Sequence, residues 1–174
     1  MLERPEASEL DPYYAHYVGL VPDGDVITTL RTQIDDTAAL LDGLRPTQET
    51  LRYAPGKWSV REVIGHVIDT ERVFVVRALR FARRDSAPLP SFDQDDYVAQ
   101  SNAHDRPLSG LMAELRLVRA ATIAMFHSFE PTWGLRRGIA SDRGFTVRAI
   151  AWIIAGHELH HRDILAERYL GSAS

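Results

Sequence analysis

The chain has 174 residues, 45% hydrophobic and 25% charged, with a formal net charge of -4, a balance that fits one soluble globular domain with room for a single substantial core. Lys57 is the only lysine and the arginines are scattered among acids, which argues against a phosphate-tracking face and against nucleic acid as a partner. Cysteine is absent, so disulfides, iron–sulfur clusters, thiolate zinc sites and cysteine nucleophiles are excluded.

The opening MLERPEASELDPYY is polar and acidic, without the basic patch and apolar run of a secretory signal. No stretch reaches the ~18–20 uninterrupted apolar residues that span a bilayer. The expectation is a cytoplasmic protein with no membrane partner, folded as one domain over residues 1–174. Residues 1–24, rich in Pro, Asp and Tyr, read as an arm laid on its surface.

Asp25 is a fair N-cap for the first long helix, in which Ile27, Leu30, Ile34, Thr37, Leu41 and Leu44 recur at three- and four-residue steps. Arg45-Pro46 closes it. The second helix has the clearest start signal. Ser59-Val60-Arg61-Glu62 is a capping box, in which Ser59 and Glu62 each satisfy the other's free backbone N–H. Its apolar positions, Val60 through Leu79, are wide enough to be buried on more than one side, and Arg83-Arg84 suits a helix C-terminus.

Residues 85–106 lack helical periodicity and hold two prolines and five aspartates. They read as a long loop of the kind that carries function. Pro107 opens a third helix through Leu111, Leu115, Val118, Thr122, Met125 and Phe129. A Gly-punctuated stretch from Gly134 to Gly144 leads to Thr146, the cap of a last helix whose inner face carries Val147, Ile150, Ile153, Ile154, His157, His161, Ile164 and Leu165. No segment sustains period-two alternation. Four helices of about twenty residues, each about 30 Å long, predict an all-α four-helix bundle.

The last helix contains Gly156-His157-Glu158-Leu159-His160-His161. His157 and His161 are four apart and stack on the core-facing stripe, where both can reach one metal ion. The string is also a literal H-E-x-x-H, the zinc-protease signature. The longer form of that signature requires Gly and His where Ile164 and Glu167 stand, and no substrate-binding strand is evident, so peptide hydrolysis is set aside.

A third ligand must come from upstream, and His66, two turns into the second helix between Ile64 and Val67, is the candidate. His16 falls in the arm, His104 in the long loop, His127 near a helix end, and His160 is turned about 100° from its neighbour. Gly65 and Gly156 precede two of the ligands and would let backbones approach. Three neutral imidazoles leave a fourth coordination position open and suit zinc, nickel, iron and copper alike. Asp69 is the first choice to take the second N–H of a ligand, with Glu62, Glu158 and Asp163 also near. Trp58 and Trp152 read as core.

Taken together, Lys57-Trp58-Ser59-Val60-Arg61-Glu62-Val63-Ile64-Gly65-His66 and Gly156-His157-Glu158-Leu159-His160-His161-Arg162, about 90 residues apart, resemble the DinB/YfiT-like metalloenzyme superfamily over residues 25–170. The resemblance implies a four-helix bundle in the mirror variant of the up-and-down topology, often a homodimer. It implies a divalent metal (Zn, Ni, Fe or Mn) held by His66, His157 and His161. Some relatives are S-transferases or isomerases that use a low-molecular-weight thiol such as bacillithiol or mycothiol.

An open three-His metal lowers the pKa of its fourth ligand, to about 7 for water on zinc, and a thiol starts near 8.5. The expectation is therefore that an external small thiol is activated and attacks an electrophilic small-molecule substrate, under cover of the 85–106 loop with Phe92 and Tyr97. The alternatives are metal-assisted hydrolysis with Glu158 or Asp69 as base, and a non-catalytic protein in which the metal staples the bundle.

Overall fold

A computed structural model describes residues 2–171; Met1 and residues 172–174 of the expected 1–174 domain lie outside the described residues. Helices dominate. Two 3₁₀ turns lead into α1 (Ala15–Leu20), followed by α2 (Val26–Leu41), a one-turn α3 (Pro46–Glu49), α4 (Val60–Ala82), α5 (Gln94–Gln100), α6 (Leu108–His127) and α7 (Val147–Ile164), with a hairpin of β1 (Arg137–Ala140) and β2 (Arg143–Thr146) just before α7. A π-helical turn, Leu165–Tyr169, extends α7. No helix among the described residues is long and apolar enough to cross a membrane.

Three of the four long helices start where a side chain satisfies free N–H groups, while α6 starts at Pro107 with no side-chain cap. Asp25 accepts from Thr28 N at α2, Ser59 and Glu62 form the reciprocal box at α4, and Thr146 accepts from Ala149 N at α7. Around the bundle, α2 packs on α6 and α7, and α4 packs on the same two. Successive long helices α2 and α4 therefore face each other across the diagonal, as do α6 and α7, and residues 42–59 and 128–146 cross over the ends. An ordinary up-and-down bundle places chain neighbours side by side.

Two apolar clusters fill the interior. One gathers Leu30, Phe74, Phe81, Ile150, Trp152 and Ile153 toward one end; the other gathers Ile34, Ile64, Ile68, Leu111, Leu115 and Leu165 toward the opposite end. A polar layer separates them, with Gln33, Thr37, His66, Glu71, Arg119, His157 and Glu158 all buried.

Three expectations need correction. The N-terminal arm is not laid on the surface: Leu10, Val18 and Val21 belong to the first apolar cluster, Arg4 donates to the carbonyls of Val18 and Val21 at 2.8 and 2.7 Å, and buried Glu9 pairs with Arg148. Arg148 holds the Glu9 carboxyl down at about 2, outweighing its burial. The 85–106 segment is not a structureless loop, because Asp93 caps α5 by accepting from Asp95 N and Asp96 N. The Gly134–Gly144 stretch is a hairpin that the sequence pattern conceals, since its strands have four residues each and its turn is Ser141-Asp142, at φ 53° and 58°, instead of the Asn-Gly usual in a turn with two positive φ angles.

The arm is seated where Gly156 interrupts the α7 surface. A Cβ there would fall 1.9 Å from the Tyr17 carbonyl oxygen, so α1 and α7 meet backbone to backbone. Gly156→Ala should expel α1 and cost about 3 kcal/mol, read as a fall in Tm of about 6–12 °C. An unchanged melting curve would mean that α1 is not docked on Gly156.

Candidate metal centre

His66 comes from the buried face of α4, and His157 and His161 from one face of α7, the helix beside it. The rings converge through their outer nitrogens. His157 Nε2 lies 3.1 Å from His66 Nε2 and 3.2 Å from His161 Nε2, and one nitrogen from each ring lies within 4.8 Å of the others. Nitrogens about 2.0–2.1 Å from a tetrahedral ion stand roughly 3.3 Å apart, so two edges of the triangle already have the spacing of a shared ligand set.

The donor set has the right protonation state. Burial, followed by the neighbouring His160, pushes His66 down to about 4. Burial, then His161, His66 and His160, carries His157 well below the ordinary 6.5, and burial, His66 and His160 do the same for His161. At neutral pH all three rings keep lone pairs to offer. Mutual hydrogen bonding cannot satisfy three nitrogens aimed at one point, whereas a divalent cation does. The trio fits such an ion.

Thr70 Oγ1 is 3.4 Å from His66 Nδ1, and the Nδ1 of His161 is buried with no partner. Trp58, expected as core, is half-buried against the second apolar cluster, and its ring also lies against His66 at 4.6 Å and is stacked near His161 at 6.5 Å. Trp152 is core, buried with Nε1–H donated to the Leu2 carbonyl at 3.0 Å. Tyr17 closes another side at 5.6 Å from the His157 ring. His160 turns away onto His16 and Tyr17, His104 meets Ser59 at the start of α4, and His127 meets Arg31.

The two carboxylates put forward for catalysis are elsewhere. Asp69 pairs with Arg72 at 3.5 Å and borders a hollow with Arg106 and Glu114; one residue further on, Thr70 has the direction that reaches His66. Glu158 is 1% exposed and enclosed in a buried network. It accepts from Thr37 Oγ1 at 2.7 Å, from Arg119 Nη2 at 2.7 Å and from Gln33 Nε2. Arg119 also donates to both oxygens of Glu71 and to the Leu30 carbonyl. Burial works against the Arg119 charge, but Glu158 and Glu71 outweigh it and raise its pKa. Neither Asp69 nor Glu158 is free to act as a base at the histidines.

Two cavities flank the cluster. One, of about 340 Å³, reaches His66 and His157 between Tyr13, Tyr14, Tyr17, Phe74, Phe92 and Arg77. The other, of about 490 Å³, reaches His161 beside Trp58, Lys57 and Tyr169. Gln94, at the start of α5, borders both. Of the residues not anticipated, Thr70, Phe74 and Arg77 follow His66 at helical spacing and were open to detection; Tyr17, Gln94 and Arg143 arrive through tertiary contacts that no local pattern announces.

Two measurements test this centre. Arg119→Met leaves Glu71 and Glu158 without their counterion and should cost about 3–5 kcal/mol in denaturant unfolding; a loss below about 1 kcal/mol would mean the network does not hold the bundle. A histidine whose pKa is lower folded than unfolded contributes fully above the unfolded value, and that contribution disappears as pH falls through the folded one. Metal-free protein should therefore lose stability between pH 6.5 and about 4, by about 3 kcal/mol from His66 alone. The slope should be shallower in His66→Gln, and a slope unchanged by that substitution would contradict the buried neutral ring.

A family model described as the DinB superfamily matches residues 29–165. Among solved structures the chain is similar to YfiT from Bacillus subtilis, described as a probable metal-dependent hydrolase with an unusual four-helix bundle topology; the TM-score is 0.71 at 15% identity, over 95% of this chain and 91% of that one. No curated protein matches. With most of its length inside the family model, the chain belongs to the DinB superfamily.

Proposed function

We propose that the protein is a divalent-metal enzyme that joins an external low-molecular-weight thiol to an electrophilic small molecule at His66, His157 and His161. The carrying observation is that the three Nε2 atoms meet between two separate cavities, with Asp69 and Glu158 both engaged away from them. Two cavities suit two substrates. A thiol starts at about 8.5 and is deprotonated outright on coordination, so it needs no protein base, whereas attack by water ordinarily enlists one.

When bound, a divalent ion supplies the Lewis acidity that favours the deprotonated thiol. The chain does the rest. His66, His157 and His161 hold the ion as neutral donors, with Thr70 beside the inner nitrogen of His66. Trp58 and Tyr17 shield two sides of the histidines from water. Phe92, in edge contact with Tyr97 at 5.1 Å, walls the first cavity.

Hydrolysis is the second reading, favoured by the similarity in fold to YfiT. The test is consumption of 1-chloro-2,4-dinitrobenzene by zinc-loaded protein with and without added cysteine, beside cleavage of 4-nitrophenyl acetate in water. The expected result is thiol-dependent arylation that falls by at least about 100-fold in His157→Ala. Ester cleavage that ignores thiol would replace the transferase reading with hydrolysis, and inactivity in both assays with a metal-dependent Tm would leave a structural ion.

A further inference from the structure

Two arginines are buried among the described residues, Arg77 and Arg119. Arg119 has two carboxylates to itself. Arg77, 3% exposed, has none within ion-pair distance among the described residues. Its Nη2 donates to the Pro90 carbonyl at 3.2 Å and to Ser141 Oγ at 2.9 Å, both neutral. Its guanidinium lies over Phe74 at 5.1 Å and near Phe92 at 5.9 Å. The titratable group that bears on it is Tyr14, whose phenol is itself pushed up by burial and so stays neutral. Nearby Arg143 is already paired with Asp11.

A guanidinium removed from water without a counterion costs several kcal/mol, and contacts with neutral acceptors and aromatic faces offset only part of that. The missing anion has an evident place. Arg77 borders the cavity of about 340 Å³ that ends on His66 and His157. Residues 66, 70, 74 and 77 follow one face of α4, so the Cα atoms of His66 and Arg77 are roughly 16 Å apart. A long helical side chain leans toward the helix N-terminus, which brings the guanidinium to roughly 10 Å from the imidazoles.

We propose that Arg77 is the anion-recognition residue of this site, binding the carboxylate of an elongated organic acid whose apolar body lies along Tyr14, Phe74 and Phe92 while its other end reaches the three histidines. The placement of the reacting end rests on the function proposed above; the anion subsite does not. Ser141, in the hairpin turn, positions the guanidinium. The parallel bridge between Leu89 and Ala140 ties that turn to the segment bearing Pro90 and Phe92.

The test is calorimetric titration with 4-phenylbutyrate and its neutral isostere 4-phenylbutyramide, using zinc-loaded wild type, Arg77→Met, Arg77→Lys and His157→Ala. Wild type should prefer the acid by at least about tenfold. Arg77→Met should lose that preference, Arg77→Lys should keep part of it, and His157→Ala should keep it whole. Loss of catalysis in His157→Ala with the preference intact would separate failure at the metal from failure here. Equal or undetectable binding of acid and amide to wild type overturns the proposal, as does a preference that survives in Arg77→Met. Tighter binding of inorganic phosphate than of 4-phenylbutyrate would overturn the elongated acid. The Arg77 Nε–H NMR signal gives a readout without a variant: it should move on addition of the acid and stay fixed with the amide.

Discussion

Arg119 is where the four long helices are tied together. Its guanidinium joins Glu71 on α4, Glu158 on α7 and the Leu30 carbonyl on α2, and Glu158 takes further bonds from Gln33 and Thr37 on α2. Apolar packing alone tolerates small slips of one helix along another. A buried charge does not, because a displaced partner leaves it uncompensated in a medium of low dielectric. The network therefore fixes the axial register of α7 against α4, and that register decides whether His157 and His161 come level with His66.

The histidines exploit the same polar layer differently. Glu158 and His157 are adjacent on α7, yet one is consumed by the structural network and the other is left for chemistry. Sealing the imidazoles away from water keeps them neutral, which suits coordination and opposes a role as proton carriers. Asp69 and Glu158, in contrast, are committed to arginines. A cation completes the imidazole cluster, and an organic acid would complete the Arg77 end of the cavity. The histidine cluster and the Arg77 guanidinium lie on one cavity walled by aromatic rings.

Much of this was legible along the chain. Caps at Asp25, Ser59 and Thr146 and the stripes that follow them fixed the helices, because these signals act within a few residues. The histidine trio followed from an i,i+4 pair on an apolar face and one further histidine between buried aliphatics. Glu158 and Asp69 were misjudged because proximity in sequence does not say which way a helical side chain turns, and both lie off the face that His66 and His157 share. Trp58 packs on the core as its pattern suggests, but that pattern does not show that the ring also lines a cavity. The hairpin stayed hidden because Ser141 and Asp142 adopt positive φ without the glycine that usually reveals it. The arm was misread because its burial depends on an absent side chain at Gly156, more than a hundred residues away.

The diagonal path of the chain has a consequence for assembly. Helices α4 and α7, which carry the histidines, are spatial neighbours separated by α6 and the hairpin in sequence, so closing them together requires a large loop entropy to be spent first. A nascent chain that has produced α2, α4 and α6 holds one ligand and an incomplete layer around Arg119. Only docking of the final helix supplies Glu158, His157 and His161 in a single event. The histidine cluster and the fold are thereby completed in the same step, and a partly folded chain presents only an isolated imidazole.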